Sequence, residues 1–357
     1  MPHLLVDISS HGFGHVSQTA PVVNELVRRI PGLRVTLRSA APGSLLRQRF
    51  HCNFQHIPVA LDFGMQMANA LDVEVEQSTL AYRAFHAGWE AKVERETQTM
   101  RALKADLLLA NVPYLSLAAA HAAGVRAVAM CSLNWADIYR HYCMVDAACS
   151  AISAQMLEAY NSAECFLKVQ PAMPMADLFN ARSINPIVQM GGNQRACLAA
   201  KLQLAETDKL VLLAMGGMEF RLPVECWPRL PGIRWLIPQA WRVECDDMPA
   251  MESFGLAFGD ILASCDAVLT KPGYATFTEA ACSGVPVLYV ARNDWPEEPY
   301  LVNWLNQHGV CVEVGREHLQ TGELDGLLAQ VWFMPRPPRP FATGASEAAH
   351  YLLVNYF

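Results

Sequence analysis

Two stretches of this 357-residue chain hold residues whose types and spacing suit chemistry on an oxygen-rich ligand. The first carries His11, Gly12, Phe13, Gly14 and His15 between an apolar run at residues 4–9 and a helical pattern at 16–29. Glycines at a strand-to-helix turn let the backbone approach a ligand closely, and the helix N-terminus offers it free N–H groups. His15 falls in the first helical turn, where the dipole disfavours imidazolium. A neutral imidazole is the form a general base needs. The plainer alternative is a histidine that caps the helix or packs. The loop is not GxGxxG, since Ser17 stands at the third glycine's place, so a dinucleotide fingerprint is not met.

The second stretch holds Thr270, Lys271, Gly273, Tyr274, Thr276 and Glu279, again between a strand pattern and a helix pattern. Lys271 stands just before the helix N-terminus, where an anion fits between ammonium and backbone N–H groups. Thr276 and Glu279 also have capping-box spacing, in which Glu279 would only bind backbone N–H. After the next strand pattern come Arg292, Asp294, Trp295, Glu297 and Glu298, with prolines on either side of the paired acids. Carboxylates there suit the hydroxyls of a sugar. Gly216 and Gly217 close another apolar run, 209–215.

The elements that must position these loops read as α/β. Short apolar runs at 4–9, 34–38, 106–110 and 126–130 alternate with helical patterns at 16–29, 42–49, 80–103 and 116–123. A second series follows, with strands at 209–215, 234–237, 267–270 and 286–290 among helices at 193–204, 260–264, 276–283 and 303–307. Such alternation predicts parallel sheets covered on both faces. Three prolines between 171 and 186 separate the series. The expected division is a first domain at 1–172, a linker at 173–190 and a second domain at 191–333. A proline-rich connector and a last helix follow at 334–357.

Composition bounds the function. Hydrophobic residues make up 52% and charged residues 17%, enough for two sizeable cores at about 150 residues each. A net charge of −7 argues against a general nucleic-acid binder. The eleven cysteines include no CxxC pair and no zinc spacing, which reads as buried thiols in a reducing compartment. No signal peptide and no membrane-spanning run of about 18 residues is found, so a soluble, cytoplasmic protein is expected.

The loop from His11 to His15 resembles the amino-terminal loop of family 28 glycosyltransferases. Lys271 to Glu279, with Trp295 to Tyr300, is similar to their donor region. Residues 258–266 and 132–139 are similar to the glycosyltransferase-like module of arabinokinases and its stand-alone bacterial counterparts. The kinase half of the arabinokinases has no counterpart here, so sugar kinase activity is not implied.

The resemblance implies a GT-B architecture, two Rossmann-like domains whose parallel sheets face an interdomain cleft. It also implies a nucleotide-diphosphate sugar donor, most simply a UDP-sugar, and no cofactor. By motif position the resemblance implies that His15 is the general base or the organiser of the oxyanion region, that Glu279 holds the ribose hydroxyls, and that Gly273, Tyr274 and Thr276 meet the diphosphate. Glu297 and Glu298, with Asp294 nearby, read the donor sugar, and Gly216-Gly217 matches the glycine turn of the donor domain. No Asp-x-Asp metal site is implied.

Where related modules carry Asp-x-Pro-Pro, this chain has Asn111-Val-Pro-Tyr114. An acid beside a base histidine stabilises its imidazolium; Asn111 orients the ring without supplying charge. Asp7 and Asp137 are the other acids weighed for that place. The expected function is an inverting, metal-independent transfer of a sugar to an acceptor hydroxyl. Trp89, Trp135, Tyr139 and Tyr142 are read either as lining for a flat acceptor or as core. Two other readings stay open, a nucleotide-sugar epimerase and a non-catalytic sugar-nucleotide-binding subunit.

Overall fold

A computed structural model describes residues 1–217, 220–292 and 294–357. The chain forms two compact units. The first comprises Met1–Ala68, Asp72–Ile187 and Ala342–Phe357, and the second Asn69–Leu71 and Val188–Phe341.

The first unit is built from β1 (His3–Ile8), α1 (Gly14–Arg29), β2 (Arg34–Arg38), α2 (Gly43–Arg49), β3 (Gln55–Ile57), α3 (Val75–His86) and α4 (Trp89–Leu103). It continues with β4 (Leu107–Asn111), α5 (Tyr114–Ala123), β5 (Arg126–Cys131), α6 (Trp135–Cys143), α7 (Ala147–Asn161), β6 (Cys165–Val169) and β7 (Ala181–Ile184). The seven strands lie in the order β3-β2-β1-β4-β5-β6-β7, and every pairing is parallel. All of β1 and β4 is buried, which is why both read as mainly apolar runs rather than alternating ones. The strand order reverses between β1 and β4, and such a switch point opens a crevice at the strands' carboxyl ends. Register pairs Ile8 with Asn111, so the loop after β1 starts beside the last residue of β4. The helical stretch 80–103 is two helices, parted where Gly88 adopts a left-handed φ of 67°. The stretch 173–190, read as linker from its prolines, contains β7 at the sheet edge.

The second unit contains α8 (Arg195–Leu202), β8 (Lys209–Ala214), β9 (Ile233–Leu236), α9 (Phe258–Leu262), β10 (Ala267–Thr270), α10 (Tyr274–Ser283) and β11 (Val287–Tyr289). Then come α11 (Glu298–His308), β12 (Cys311–Glu313), α12 (Arg316–Thr321) and α13 (Asp325–Phe333). Its five parallel strands run β12-β11-β10-β8-β9, with the reversal between β8 and β10. Val211, Leu213, Trp235, Leu269 and Leu288 form the centre of its apolar core, which Leu71 joins. The last helix, α14 (Gly344–Tyr356), belongs to the first unit, where it packs on α1.

Candidate active site

In the first unit the crevice between β1 and β4 is lined by the sequence-predicted loop. Gly12 holds φ at 84°, and α1 begins at Gly14 with no side-chain cap from Phe13 before it. His15 is 6% exposed, and its Nδ1 lies 2.9 Å from Asn111 Oδ1. Asn111, fully buried, donates through Nδ2 to Gln18 Oε1 at 3.2 Å, and Gln18 Nε2 donates to Ser132 Oγ at 2.8 Å. In this arrangement the Asn111 amide turns its oxygen toward the ring. An oxygen at that place favours the tautomer with the proton on His15 Nδ1, in which Nε2 holds the lone pair that a base requires.

Asn111 thus occupies the partner position, and the other two acids weighed for it are engaged elsewhere. Asp7 pairs with Arg38, and Asp137 accepts from Asn134 Nδ2 at 2.9 Å. Asn111→Asp places a negative charge on Nδ1–H. The acid limb of a pH–rate profile is then expected to move to higher pH, because imidazolium persists further up the scale. An unmoved limb in that variant would remove His15 titration from the rate.

Sequence reasoning missed Asp62. It lies in the irregular stretch between β3 and α3 and is 5% exposed. Its Oδ1 accepts from Ser9 Oγ at 2.8 Å and Ser10 N–H at 3.0 Å, and its Oδ2 accepts from the Trp135 indole N–H at 2.9 Å. Burial pushes its carboxyl up to about 6 despite these three donors. The Trp135 ring meets His11 edge-on at 5.0 Å and lies 5.7 Å from His15. His11 is also gripped by the segment after Asp62, with Met65 N–H donating to its Nδ1 at 3.4 Å. A Cβ on Gly64 would sit 2.6 Å from the His11 ring. Phe13 is 42% exposed at the loop tip. Trp135 and Tyr139 are wholly buried and Trp89 nearly so, which makes them core rather than an open lining.

In the second unit the loops after β8, β10 and β11 assemble the predicted donor residues. Gly216 has φ 88°, and a Cβ there would lie 3.1 Å from Lys271 Cε, so the two loops touch through the missing side chain. Lys271 is half-buried. Burial and the Arg292 guanidinium lower its ammonium to about 7, against the pull of Glu297 and Glu298. Gly273 is the N-cap of α10, with no side-chain acceptor. The helix therefore starts ahead of Thr276, which is its third residue, and the capping box does not form. Glu279 sits in the second turn, 3% exposed.

Arg292 lies 3.9 Å over the Trp295 ring, and Trp295 Nε1 donates to Glu297 Oε2 at 3.2 Å. Glu298 accepts from Arg292 N–H at 2.9 Å, and burial raises its carboxyl. Asp294 is exposed beside them. Arg292 is a second cation of this site that the motifs alone did not single out. A cavity of about 650 Å³ opens at the carboxyl end of β9, on the same sheet edge, lined by Pro238, Gln239, Arg242, Glu244 and Glu252 among others.

No family model matches the chain. It is 27% identical to L-arabinokinase of Arabidopsis thaliana over 354 residues, 97% of its own length, and spans about one third of that protein. Three solved structures share its architecture. CalG4, the calicheamicin glycosyltransferase, superposes with a TM-score of 0.62 at 14% identity, covering 99% of this chain and 94% of that one. Arabidopsis thaliana UGT89C1 complexed with UDP gives 0.60 at 14% identity over 100% of both chains. Phytolacca americana UGT2, complexed with UDP-2fluoro-glucose and pterostilbene, gives 0.58 at 12% identity over 99% and 94%.

The chain has the GT-B fold. In this GT-B chain each unit carries its loops at the carboxyl ends of the strands flanking its switch point, β1 and β4 in one, β8 and β10 in the other. Among the described residues no group of three or more His, Cys, Asp and Glu side chains is placed to hold a metal ion. Among them, too, no helix is long and apolar enough to cross a membrane.

Proposed function

We propose that the chain is a glycosyltransferase that moves a sugar from a nucleotide-diphosphate sugar to an acceptor hydroxyl, with inversion and without a metal ion. The observation that carries this reading is the buried His15–Asn111 pair, which presents Nε2 as a base in a chain of GT-B fold. Nε2 takes the proton of the acceptor hydroxyl. The acceptor oxygen bonds to the anomeric carbon from the face opposite the diphosphate, and the carbon–oxygen bond to the diphosphate breaks. The leaving diphosphate is met by Lys271 and by the N–H groups at the start of α10. Fold neighbours bound to UDP and to a UDP-sugar analogue support UDP as the nucleotide. The motif likeness to family 28 supports Glu279 on the ribose and Glu297 and Glu298 on the sugar. All eleven cysteines are free, which supports the cytoplasm as the compartment.

Titration calorimetry with UDP tests the donor half of this reading. Bound diphosphate favours the Lys271 ammonium, which without ligand loses its proton near pH 7. Binding is therefore expected to take up close to one proton at about pH 8 and to weaken as pH rises past 7. Lys271→Met should abolish that uptake. Uptake of the same size in the variant would assign the proton to the ligand alone. Glu279→Gln is expected to weaken UDP binding by roughly tenfold, the order of one hydrogen bond to a charged group. Unchanged affinity there would make Glu279 a packing residue.

One observation favours a second reading. With Asn111 in place of an acid, the site also suits a binding subunit that holds a nucleotide sugar without turning it over. Donor binding with no product across a broad acceptor panel would select that reading.

A further inference from the structure

We infer that Asp62 is a positioning residue for the histidine loop: it ties Ser9 and Ser10, the start of that loop, to the Trp135 indole against which His11 and His15 pack. The three groups around its carboxylate are all donors, the Ser9 hydroxyl, the Ser10 N–H and the Trp135 N–H, at 2.8, 3.0 and 2.9 Å. A carboxylate turns an acceptor oxygen to each of the three with no hydrogen of its own among them. An amide of the same shape must turn its NH₂ toward one of them. The segment that carries Asp62 also closes over His11 through Gly64 and Met65, so the same stretch of chain holds that ring too. Asp62 touches neither His15 nor a reacting atom by any of these bonds. It acts through Trp135, whose ring lies 5.7 Å from His15.

The kinetic part of the test rests on the transferase reading; the spectroscopic part does not. Wild type, Asp62→Asn, Trp135→Phe and the double variant are compared in kcat, in donor KM and in the Cε1–H resonances of His11 and His15. Asp62→Asn is expected to lower kcat by about 10²-fold, the scale of a small misplacement of a catalytic group, with donor KM unchanged. It should also move both histidine resonances, as the indole shifts over them. In the Trp135→Phe background the opposing donor is gone, and the asparagine oxygen still accepts from Ser9 and Ser10. There the same substitution should cost less than about fivefold and leave the resonances where Trp135→Phe alone puts them.

Equal costs in the two backgrounds, or histidine resonances that ignore Asp62→Asn, would overturn the inference. If wild type turns over no acceptor, the transferase reading fails and the resonances alone decide the role of Asp62. If Asp62→Asn does not fold, recovery of folding in the double variant supports the inference. A double variant that also fails to fold contradicts it, because the fold then needs Asp62 regardless of the indole.

Discussion

Replacing His15 by alanine is expected to cut turnover roughly 10²–10⁴-fold, the range for loss of a general base. UDP affinity should stay at the wild-type value, because the residues assigned to the donor lie in the other unit. The expectation rests on geometry rather than on histidine content. Nδ1 meets Asn111 Oδ1, the Asn111 amide meets Gln18, and the other ring nitrogen is Nε2. His11→Ala should cost less. Its Nδ1 accepts from Met65 N–H and its ring stands edge-on to Trp135, a role in shaping the loop. Steady-state kinetics with calorimetry on both variants checks the pair. A His15→Ala variant with near-wild-type turnover would remove the base from the mechanism.

The second large effect is on stability. Arg38 is 2% exposed and forks onto fully buried Asp7, Nε to Oδ1 at 2.7 Å and Nη2 to Oδ2 at 2.5 Å. Its remaining Nη1 reaches Glu96 on α4. Arg38→Met removes the partner and leaves the Asp7 carboxylate in the core of the first unit. Breaking a buried pair in this way costs about 3–5 kcal/mol, which at this size lowers the melting midpoint by roughly 10 °C. Adding Asp7→Leu should recover most of the loss, since the uncompensated charge goes with it. A single variant that melts like wild type would show that water reaches Asp7. The pair also explains why Asp7 is unavailable to His15, although it precedes the histidine loop by two residues.

What was legible in the sequence was whatever is written locally. β1, β4, β5, β8, β10 and β11 are short apolar runs because parallel strands are buried on both faces, and each was marked by its composition. The glycine loops were legible because glycine between a strand and a helix has few other uses. Less legible were β3 and β7, short edge strands with polar residues, and α7, whose alanines and serines leave little periodicity. The capping-box pattern at Thr276 and Glu279 misled, because the box is a spacing and not a boundary. Gly273, extended at φ −148°, ends the loop earlier and starts α10 at Tyr274. The pairing of His15 with Asn111 spans 96 residues and follows from β1 lying beside β4, a neighbour relation that the order of elements does not state. Asp62 carried no local signal, as a single acid in an irregular segment gains meaning only from the three donors the fold brings to it.

The most direct measurement is proton NMR of the anomeric region while the chain acts on UDP-sugars and a panel of hydroxyl acceptors in the presence of a chelator. The expected result is a new glycosidic bond of configuration opposite to the donor's, with one UDP released for each bond formed. A product that keeps the donor's configuration, or activity that returns only when magnesium or manganese is restored, would contradict the mechanism drawn from His15 and Lys271.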